Sequence, residues 1–106
     1  MKLMQGDTYV LPISLKMYGS IITPEDVSRI EFTFGKVVKH YPEDVSHDGD
    51  RFLVSLSQED TFSLAGKVKY QTRVLFADGR VKSSPVCEGD VSISISKAVL
   101  TSERPD

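Results

Sequence analysis

The chain has 106 residues, of which 40% are hydrophobic and 26% are charged, and its formal net charge is −2. This composition predicts one soluble domain with enough apolar side chains to bury a core. Charges of both signs are spread along the chain without a basic block. We therefore expect no nucleic-acid partner, because binding a phosphate backbone needs a positive patch.

The N-terminal stretch MKLMQGDTYV has one lysine and no long apolar core, and no apolar run approaches the length of a membrane span. We expect neither a signal peptide nor a membrane partner. Cys87 is the only cysteine, which excludes an intramolecular disulfide and suits a reducing cytosol or a particle assembled in one. The sequence also lacks Asn, so it has no acceptor for N-linked glycans.

Residues 9–17 alternate apolar and polar side chains, which predicts a strand with one buried face. Pro12 cannot donate a ladder hydrogen bond, so this strand belongs at a sheet edge or a bulge. The chain turns at Tyr18, and Thr23 followed by Pro24 and two carboxylates predicts a single helical turn.

Three short strands are predicted next, at residues 29–34, 36–41 and 51–56, again from apolar alternation. Ser57 is predicted to cap one helical turn, with Asp60 at the capping-box position.

Residues 67–76 make the longest predicted strand. The Asp78-Gly79 dipeptide after it predicts a type I′ hairpin turn, with residues 80–86 as the returning strand. Alternation at residues 90–100 predicts the last strand, and residues 101–106 form a polar tail.

About seven short strands without crossover helices predict an all-β fold. The expected architecture is an antiparallel immunoglobulin-like β-sandwich with one or two single-turn helices, in one domain of residues 1–100. A small closed barrel is the alternative. The predicted core consists of Tyr9, Ile13, Ile30, Phe32, Phe34, Phe52, Val54, Val68, Tyr70, Val74, Phe76 and Ile93.

The acidic stretch 44–50 has the spacing of the first half of a calcium-binding EF-hand loop. The twelfth position is Ser55, where the loop needs a bidentate Glu, so we expect a hairpin turn at Asp48-Gly49 and no metal site. The only candidate metal ligands are Asp44, Asp48 and Asp50.

The pentapeptide PEDVS occurs twice, at residues 24–28 and 42–46. The first copy follows Thr23, which predicts a capped helical turn. The second follows Tyr41 and is predicted to be extended. The flanking residues show no wider repeat.

Catalytic motifs are missing from the sequence, and no two of His40, His47 and Cys87 have the spacing of zinc ligands. We expect no cofactor and no enzymatic activity. A small hydrolase that pairs Cys87 with one of the histidines is one further hypothesis. Cys87 follows Pro85-Val86 at a strand end, where we expect a buried or half-buried thiol.

Six residues are candidates for contacts with a partner or ligand. Three basic residues share one face of the long strand, which is either a solvated face or a docking face for an acidic partner: Lys67, Lys69 and Arg73. Three aromatic residues lie outside the clear core pattern: Tyr18, Tyr41 and Phe62. The first and last strands of an open sandwich are also natural sites for pairing with another chain.

Three segments, in this order along the chain, resemble a known family: GDTYVLPISLKMYGSIITPEDVSRIEFTF, FLVSLSQEDTFSLAGKVKYQTRVLFADGRVKSS and DVSISISKAVL. The chain resembles the immunoglobulin-like N-terminal domain of baseplate upper proteins from tailed phages and prophages of Gram-positive bacteria. It is also similar to short tail-associated proteins encoded beside such genes. The resemblance lies chiefly in Gly6-Asp7-Thr8, the corner at residues 56–61, Gly66 and Ala77-Asp78-Gly79.

This resemblance implies a non-enzymatic structural role in a phage tail or baseplate. It implies partners among other tail and baseplate proteins, homo-oligomerisation in a symmetric assembly, and a location in the virion or in the host cytoplasm during assembly. The cysteine pair and core tryptophan of antibody-type domains are missing. A carbohydrate-binding module for cell-wall glycans is the alternative function.

Overall fold

The computed structural model describes residues 1–17 and 19–102. Over this range the chain forms eleven strands, one α-helix of a single turn, and a 3₁₀ turn at Pro24–Asp26. In chain order these elements are β1 (Lys2–Met4), β2 (Tyr9–Ile13), β3 (Leu15–Met17), β4 (Ser20–Ile22), β5 (Val27–Phe34), β6 (Val37–Tyr41), β7 (Ser46–Asp48), β8 (Arg51–Leu56), α1 (Gln58–Phe62), β9 (Gly66–Phe76), β10 (Val81–Ser83) and β11 (Cys87–Ser92).

The strands form two facing sheets and a separate hairpin. The larger sheet has the order β1-β11-β9-β5-β6, with β10 paired to β9 beyond the end of β11; the smaller sheet is β2-β8-β7, and β3 pairs with β4. In the larger sheet the order β11-β9-β5-β6 matches strands G-F-C-C′ of immunoglobulin-like sandwiches, and in the smaller sheet the order β2-β8-β7 matches strands B-E-D. The predicted all-β sandwich is confirmed. The strand number exceeds seven because several strands have only three residues, too few to show a periodicity.

The core lies between the two sheets and follows the alternation along their central strands. Ile30, Phe32 and Phe34 of β5 are buried, and the rings of Phe32 and Phe52 lie 6.3 Å apart, which joins one sheet to the other. Of the predicted core residues, seven are buried: Ile30, Phe32, Phe34, Phe52, Val54, Val68 and Val74. Four more pack against them while partly exposed: Tyr9, Ile13, Tyr70 and Phe76.

The prediction for Ile93 is wrong, since 69% of this residue is exposed. The register explains the difference. β9 begins at Gly66, which pairs with Val91, and β1 ends at Met4, which pairs with Ser92. In the described part of the chain, neither β1 nor β9 extends far enough to pair with residues beyond Ser92. The apolar alternation therefore continues in a segment that lies outside the sheet.

The first predicted strand is interrupted at Ser14, so residues 9–17 form β2 and β3 with different partners. In the described sheet β2 pairs on one side only, with β8. Pro12 therefore lies in an edge strand, as predicted. The short strand β1 was not predicted, and it pairs in parallel with β11, so the sandwich is antiparallel at every other pairing.

Both predicted hairpins form, with loops that differ from the prediction. After β9 the amide of Gly79 donates to the carbonyl of Phe76 at 2.9 Å, and the amide of Phe76 donates to the carbonyl of Arg80 at 2.8 Å. This is a three-residue loop closed by Gly79 at φ +92°, not a type I′ turn. In the other hairpin Asp48 pairs with Arg51, so the two loop residues are Gly49 and Asp50.

Both PEDVS copies form turns, which corrects the prediction that the second is extended; the first is a 3₁₀ turn at Pro24–Asp26, and the second begins with a cis Tyr41-Pro42 peptide bond. The carboxylate of Asp26 accepts the backbone amide of Thr23 at 2.9 Å, and that of Asp44 accepts the amide of His40 at 3.2 Å. In both copies the Pro-Glu-Asp residues turn, and the following valine, Val27 or Val45, is buried. Each pentapeptide therefore stops one strand and directs the chain into the next.

Candidate functional site

The basic residues of β9 lie on the outward face of the larger sheet, and all three are exposed. The register places an acidic residue opposite each of them: Asp90 opposite Lys67, Glu88 opposite Lys69, and Glu31 opposite Arg73. Cross-strand neighbours of opposite charge attract one another weakly and cancel each other's field at a distance. The stripe is thus part of a charge-balanced face rather than a concentrated positive patch.

The candidate aromatic residues pack against the fold. The ring of Tyr41 lies edge-on to that of Phe52, with ring centroids 5.1 Å apart, and is also edge-on to the ring of His47, with centroids 6.2 Å apart. Phe62 covers Gly6 so closely that a Cβ at Gly6 would lie 2.8 Å from the ring. Both aromatic side chains are half-buried. Tyr18 lies outside the described residues.

The three candidate metal ligands do not converge. Asp44 is engaged with the backbone of His40, Asp48 pairs with Arg51 at 3.3 Å, and Asp50 lies in the hairpin loop. Within residues 1–17 and 19–102 no group of three His, Cys, Asp or Glu side chains is close enough to hold a metal ion.

Cys87 is exposed, which corrects the expectation of a buried thiol. Cys87 lies in β11, and the strands β9 and β5 stand between β11 and β6, so β11 and β6 are about 14 Å apart at the usual strand spacing. The residue of β6 that lies level with Cys87 is Val37, and His40 is three residues further along that strand. His47 contacts Tyr41, one residue beyond His40. Neither imidazole is within hydrogen-bonding reach of the thiol, so the proposed Cys-His pair does not form.

One ion pair connects the edge strand β6 of the larger sheet to the helical turn α1, which follows β8 of the smaller sheet. The ammonium of Lys39, on edge strand β6, lies 2.9 Å from the carboxylate of Asp60, and both side chains are largely buried. Burial raises the pKa of Asp60, but the hydrogen bond from the Ser57 amide and the charge of Lys39 outweigh it, so the pKa lies below its ordinary value. The predicted capping box at Ser57 and Asp60 is present.

These features protect two described sheet edges against pairing with another chain. An inward-pointing lysine on an edge strand resists the addition of a further strand, as Lys39 does in β6. Pro12 has the same effect in β2, because it offers no amide to a partner. Partner contacts through these edges are therefore disfavoured.

A different surface is open for contacts. After β11 the chain leaves the sheet, and residues 93–100, here called the apolar arm, expose four apolar side chains. Ile95 is fully exposed, and Ile93, Leu100 and Val99 are 69%, 77% and 45% exposed. Exposed apolar side chains gathered on one short segment are typical of a protein-binding surface.

Two glutamines hold the arm to the sandwich by its backbone. The amide nitrogen of Gln58 donates to the carbonyl of Leu100 at 2.7 Å, and its oxygen accepts the Leu100 amide at 2.8 Å. Gln5, which is buried, donates to the carbonyl of Leu64 at 2.6 Å and accepts the amide of Ser94 at 3.1 Å and the ammonium of Lys97. These hydrogen bonds tie the arm's backbone to the sandwich at Ser94 and Leu100, while the four apolar side chains remain exposed.

Sequence reasoning missed the arm because the alternation Val91, Ile93, Ile95 is that of an ordinary strand. The signal that could have shown it is the length of the partner strands. β9 begins level with Val91 and β1 ends level with Ser92, so the rest of the pattern has no ladder to join.

Comparisons of the chain with models of protein families, with curated proteins and with solved structures found no match. The described residues include no helix that is long and apolar enough to cross a membrane.

Proposed function

We propose that this chain is a non-enzymatic structural protein of a phage or prophage tail or baseplate, and that it acts through protein–protein contacts. The observation that carries the proposal is the apolar arm: four exposed apolar side chains on a backbone that Gln5 and Gln58 hold in place. Burying such side chains in a partner is favourable by about 25 cal/mol per Å² of apolar surface.

The sequence resemblance to baseplate and tail-associated proteins supports the choice of partner. The pre-positioned backbone supports a contact made without large rearrangement, because the groups that must be ordered on binding are already ordered. Protection of the edges at β2 and β6 favours the arm over strand addition there as the contact surface.

The experiment is a binding test against the proteins encoded beside this gene. Each neighbour is purified and mixed with the chain, and complexes are measured by size-exclusion chromatography with light scattering. We expect a defined complex with at least one tail or baseplate protein, and a weaker one with the variant Ile95→Ser, which removes an apolar side chain that makes no buried contact in the chain. Val86→Ser, an exposed apolar residue outside the arm, is the matched control.

Mass spectrometry of purified virions adds a second readout. The proposal is overturned if the chain binds none of the tail proteins and is absent from virions and from assembly intermediates. Neighbouring genes for metabolic enzymes, without tail or lysis genes, would count against it in the same way.

A further inference from the structure

The chain contains two Asp-Gly dipeptides, Asp48-Gly49 and Asp78-Gly79, and each lies at a hairpin loop. In this dipeptide the backbone nitrogen of the glycine can attack the side-chain carboxyl carbon of the aspartate, because glycine has no Cβ to hinder the approach. The cyclic imide that results opens with water to aspartate or to isoaspartate. A fold slows this reaction when it holds the glycine amide and the carboxylate in hydrogen bonds. The two loops differ in how tightly they hold these groups.

The loop at Asp78-Gly79 holds both reacting groups. The amide of Gly79 donates to the carbonyl of Phe76 at 2.9 Å, so the nitrogen that would attack is engaged. One carboxylate oxygen of Asp78 accepts the amide of Arg80 at 3.1 Å, and the other accepts its guanidinium at 2.8 Å. The carboxylate is therefore fixed by the residue that follows the dipeptide.

The charge state of Asp78 adds to this protection. The hydrogen bond from the Arg80 amide, together with the hydrogen bond and charge of its guanidinium, holds the pKa of Asp78 below its ordinary value. A carboxylate anion is a poorer electrophile than a carboxylic acid, so imide formation is slowed further. The loop is also fixed to the 3₁₀ turn, where the carbonyl of Asp26 accepts the amide of Ala77 at 2.9 Å. Ring closure at Asp78 must first break several hydrogen bonds.

The loop at Asp48-Gly49 holds the same groups much less tightly. None of the backbone hydrogen bonds in the described turns and loops involves the Gly49 amide, and the imidazole of His47 contacts the Gly49 carbonyl instead, at 3.2 Å. The side chain of Asp48 is 70% exposed and contacts one guanidinium nitrogen of Arg51 at 3.3 Å, and an exposed ion pair of this kind contributes little. Strand β7 has three residues and pairs with β8 alone in the described sheet, so the hairpin opens locally at low cost.

We propose that Asp48-Gly49 is a site of spontaneous aspartate isomerisation, whereas the fold protects the same dipeptide at Asp78-Gly79. In the first step the Gly49 nitrogen forms a bond to the Cγ of Asp48, and the amide proton and the carboxyl hydroxyl leave together as water. In the second step water adds to one of the imide carbonyls and a C–N bond breaks. Breaking the new bond restores aspartate, and breaking the original backbone bond gives isoaspartate. Water is the only further reactant.

Isoaspartate changes the hairpin because the main chain then passes through the side-chain carbons of residue 48 and gains one atom. The loop it lengthens has two residues, Gly49 and Asp50, between the paired Asp48 and Arg51. Loop length sets the register of a hairpin. We therefore expect the pairing of β7 with β8 to weaken while the larger sheet is unaffected. This inference goes beyond the proposed phage role and does not depend on it.

The first test is incubation of the purified chain at physiological pH and temperature in water enriched in heavy oxygen, followed by cleavage after Lys and Arg. The two dipeptides then lie in separate peptides, residues 40–51 and 74–80. Mass spectrometry measures the incorporated heavy oxygen, and fragmentation locates the isoaspartate within each peptide. We expect isoaspartate to form at least about tenfold faster at Asp48 than at Asp78, because ring closure at Asp78 must first break several hydrogen bonds.

The same incubation in urea separates the effect of the fold from that of the local sequence. In the unfolded chain the hydrogen bonds are lost, so the two sites should convert at similar rates. Equal rates in the folded chain, or no detectable isoaspartate at Asp48, overturn the inference. A preference for Asp48 of the same size in urea also overturns it, because the preceding residues, His47 and Ala77, rather than the fold would then decide the rate.

Two arginine variants test the cause of the difference. Arg80→Ala releases both carboxylate oxygens of Asp78, so it should raise the rate at Asp78 by about fivefold or more. Arg51→Ala is the matched control, because it removes the exposed partner of Asp48 and should change the rate there by less than about twofold. Circular dichroism establishes that each variant is folded. An unchanged rate at Asp78 in Arg80→Ala contradicts the proposed protection.

NMR of samples in which isoaspartate has accumulated tests the structural consequence. A second set of amide signals should appear for β7 and its partner residues in β8, with faster hydrogen exchange, while β9 keeps a single set. A single unchanged set for β7 in samples that contain isoaspartate would contradict the expected loss of pairing.

Discussion

At the level of single residues, Asp60 combines two roles that both depend on its negative charge. Its carboxylate accepts a hydrogen bond from the amide of Ser57 at 2.8 Å, which completes the capping box of α1, and it pairs with Lys39 of β6. Charge-assisted hydrogen bonds of this kind are stronger than neutral ones. Asp60 therefore connects the end of β8, the helical turn and the edge strand β6.

The lowered pKa of Asp60 predicts a loss of stability in acid. A carboxylate whose pKa is lower in the folded chain than its ordinary value of 3.8 stabilises the fold fully above that value, and the contribution is lost as the pH falls through the folded-state pKa. We expect the free energy of unfolding to fall more steeply below about pH 4 in the wild type than in Asp60→Asn. Urea unfolding between pH 7 and about pH 3 measures this.

Glu59→Gln is the matched control, because Glu59 is an exposed carboxylate in the same helical turn. It should retain the acid dependence of the wild type. Parallel pH profiles for the wild type and Asp60→Asn would show that the ion pair contributes nothing.

Phe32 is a central core residue whose truncation should be strongly destabilising. It is 1% exposed at the centre of β5 and its ring contacts that of Phe52 in the other sheet. Phe32→Ala removes the buried ring and leaves a cavity, so we expect a loss of about 3–5 kcal/mol in the free energy of unfolding. Chemical denaturation measures the change. Val38→Ala, at an exposed position of neighbouring β6, should change stability by less than about 1 kcal/mol.

At the level of elements, the two PEDVS segments show how a short motif acts in different surroundings. Each has a proline that fixes φ, an aspartate that accepts a backbone amide three or four residues earlier, and a valine that enters the core. The preceding residue differs, Thr23 in one case and Tyr41 in the other. The result is still a turn followed by a strand, because the aspartate and the buried valine decide it.

The apolar arm is an element held by side-chain amides rather than by a ladder, which predicts a specific way to release it. Gln58→Ala removes both hydrogen bonds to Leu100, so we expect faster hydrogen exchange at the Leu100 amide, with little change in exchange along β9. Hydrogen exchange followed by NMR measures both regions in one sample.

Gln71→Ala is the control for this prediction, since it also removes a glutamine hydrogen bond, to the carbonyl of Ser84, but on the outward face of β9. It should leave exchange at Leu100 unchanged. Equal exchange at Leu100 in the wild type and in Gln58→Ala would mean that the glutamine does not position the arm.

At the level of the whole molecule, one hydrophobic cluster includes side chains from both sheets. Phe32 and Phe52 meet at its centre, so neither sheet keeps its core if the other is lost.

The shared core predicts that the chain unfolds in one cooperative transition. We expect the urea transitions followed by tyrosine fluorescence and by far-ultraviolet circular dichroism to coincide, because loss of either sheet exposes the core of both. Two separate transitions would show that the β2-β8-β7 sheet unfolds independently.

Much of the fold could be predicted from local pattern. The alternation in β5, β8 and β9 identified most of the buried residues, and the capping signals placed both helical turns, since these features depend only on neighbours along the chain. β1, the break at Ser14 and the exact hairpin loops escaped prediction. They depend on which strands lie alongside and on where those strands end.

The candidate site was less accessible to sequence reasoning than the fold. The sequence by itself determined an all-β sandwich, its central core, its protected edge at Pro12 and the apolar alternation through Ile95. Only the tertiary structure decided that this alternation becomes an exposed arm, because burial requires a partner strand, and β9 begins and β1 ends just where β11 stops. A side-chain pattern specifies which residues could share a face, whereas the lengths of neighbouring strands decide whether that face is covered.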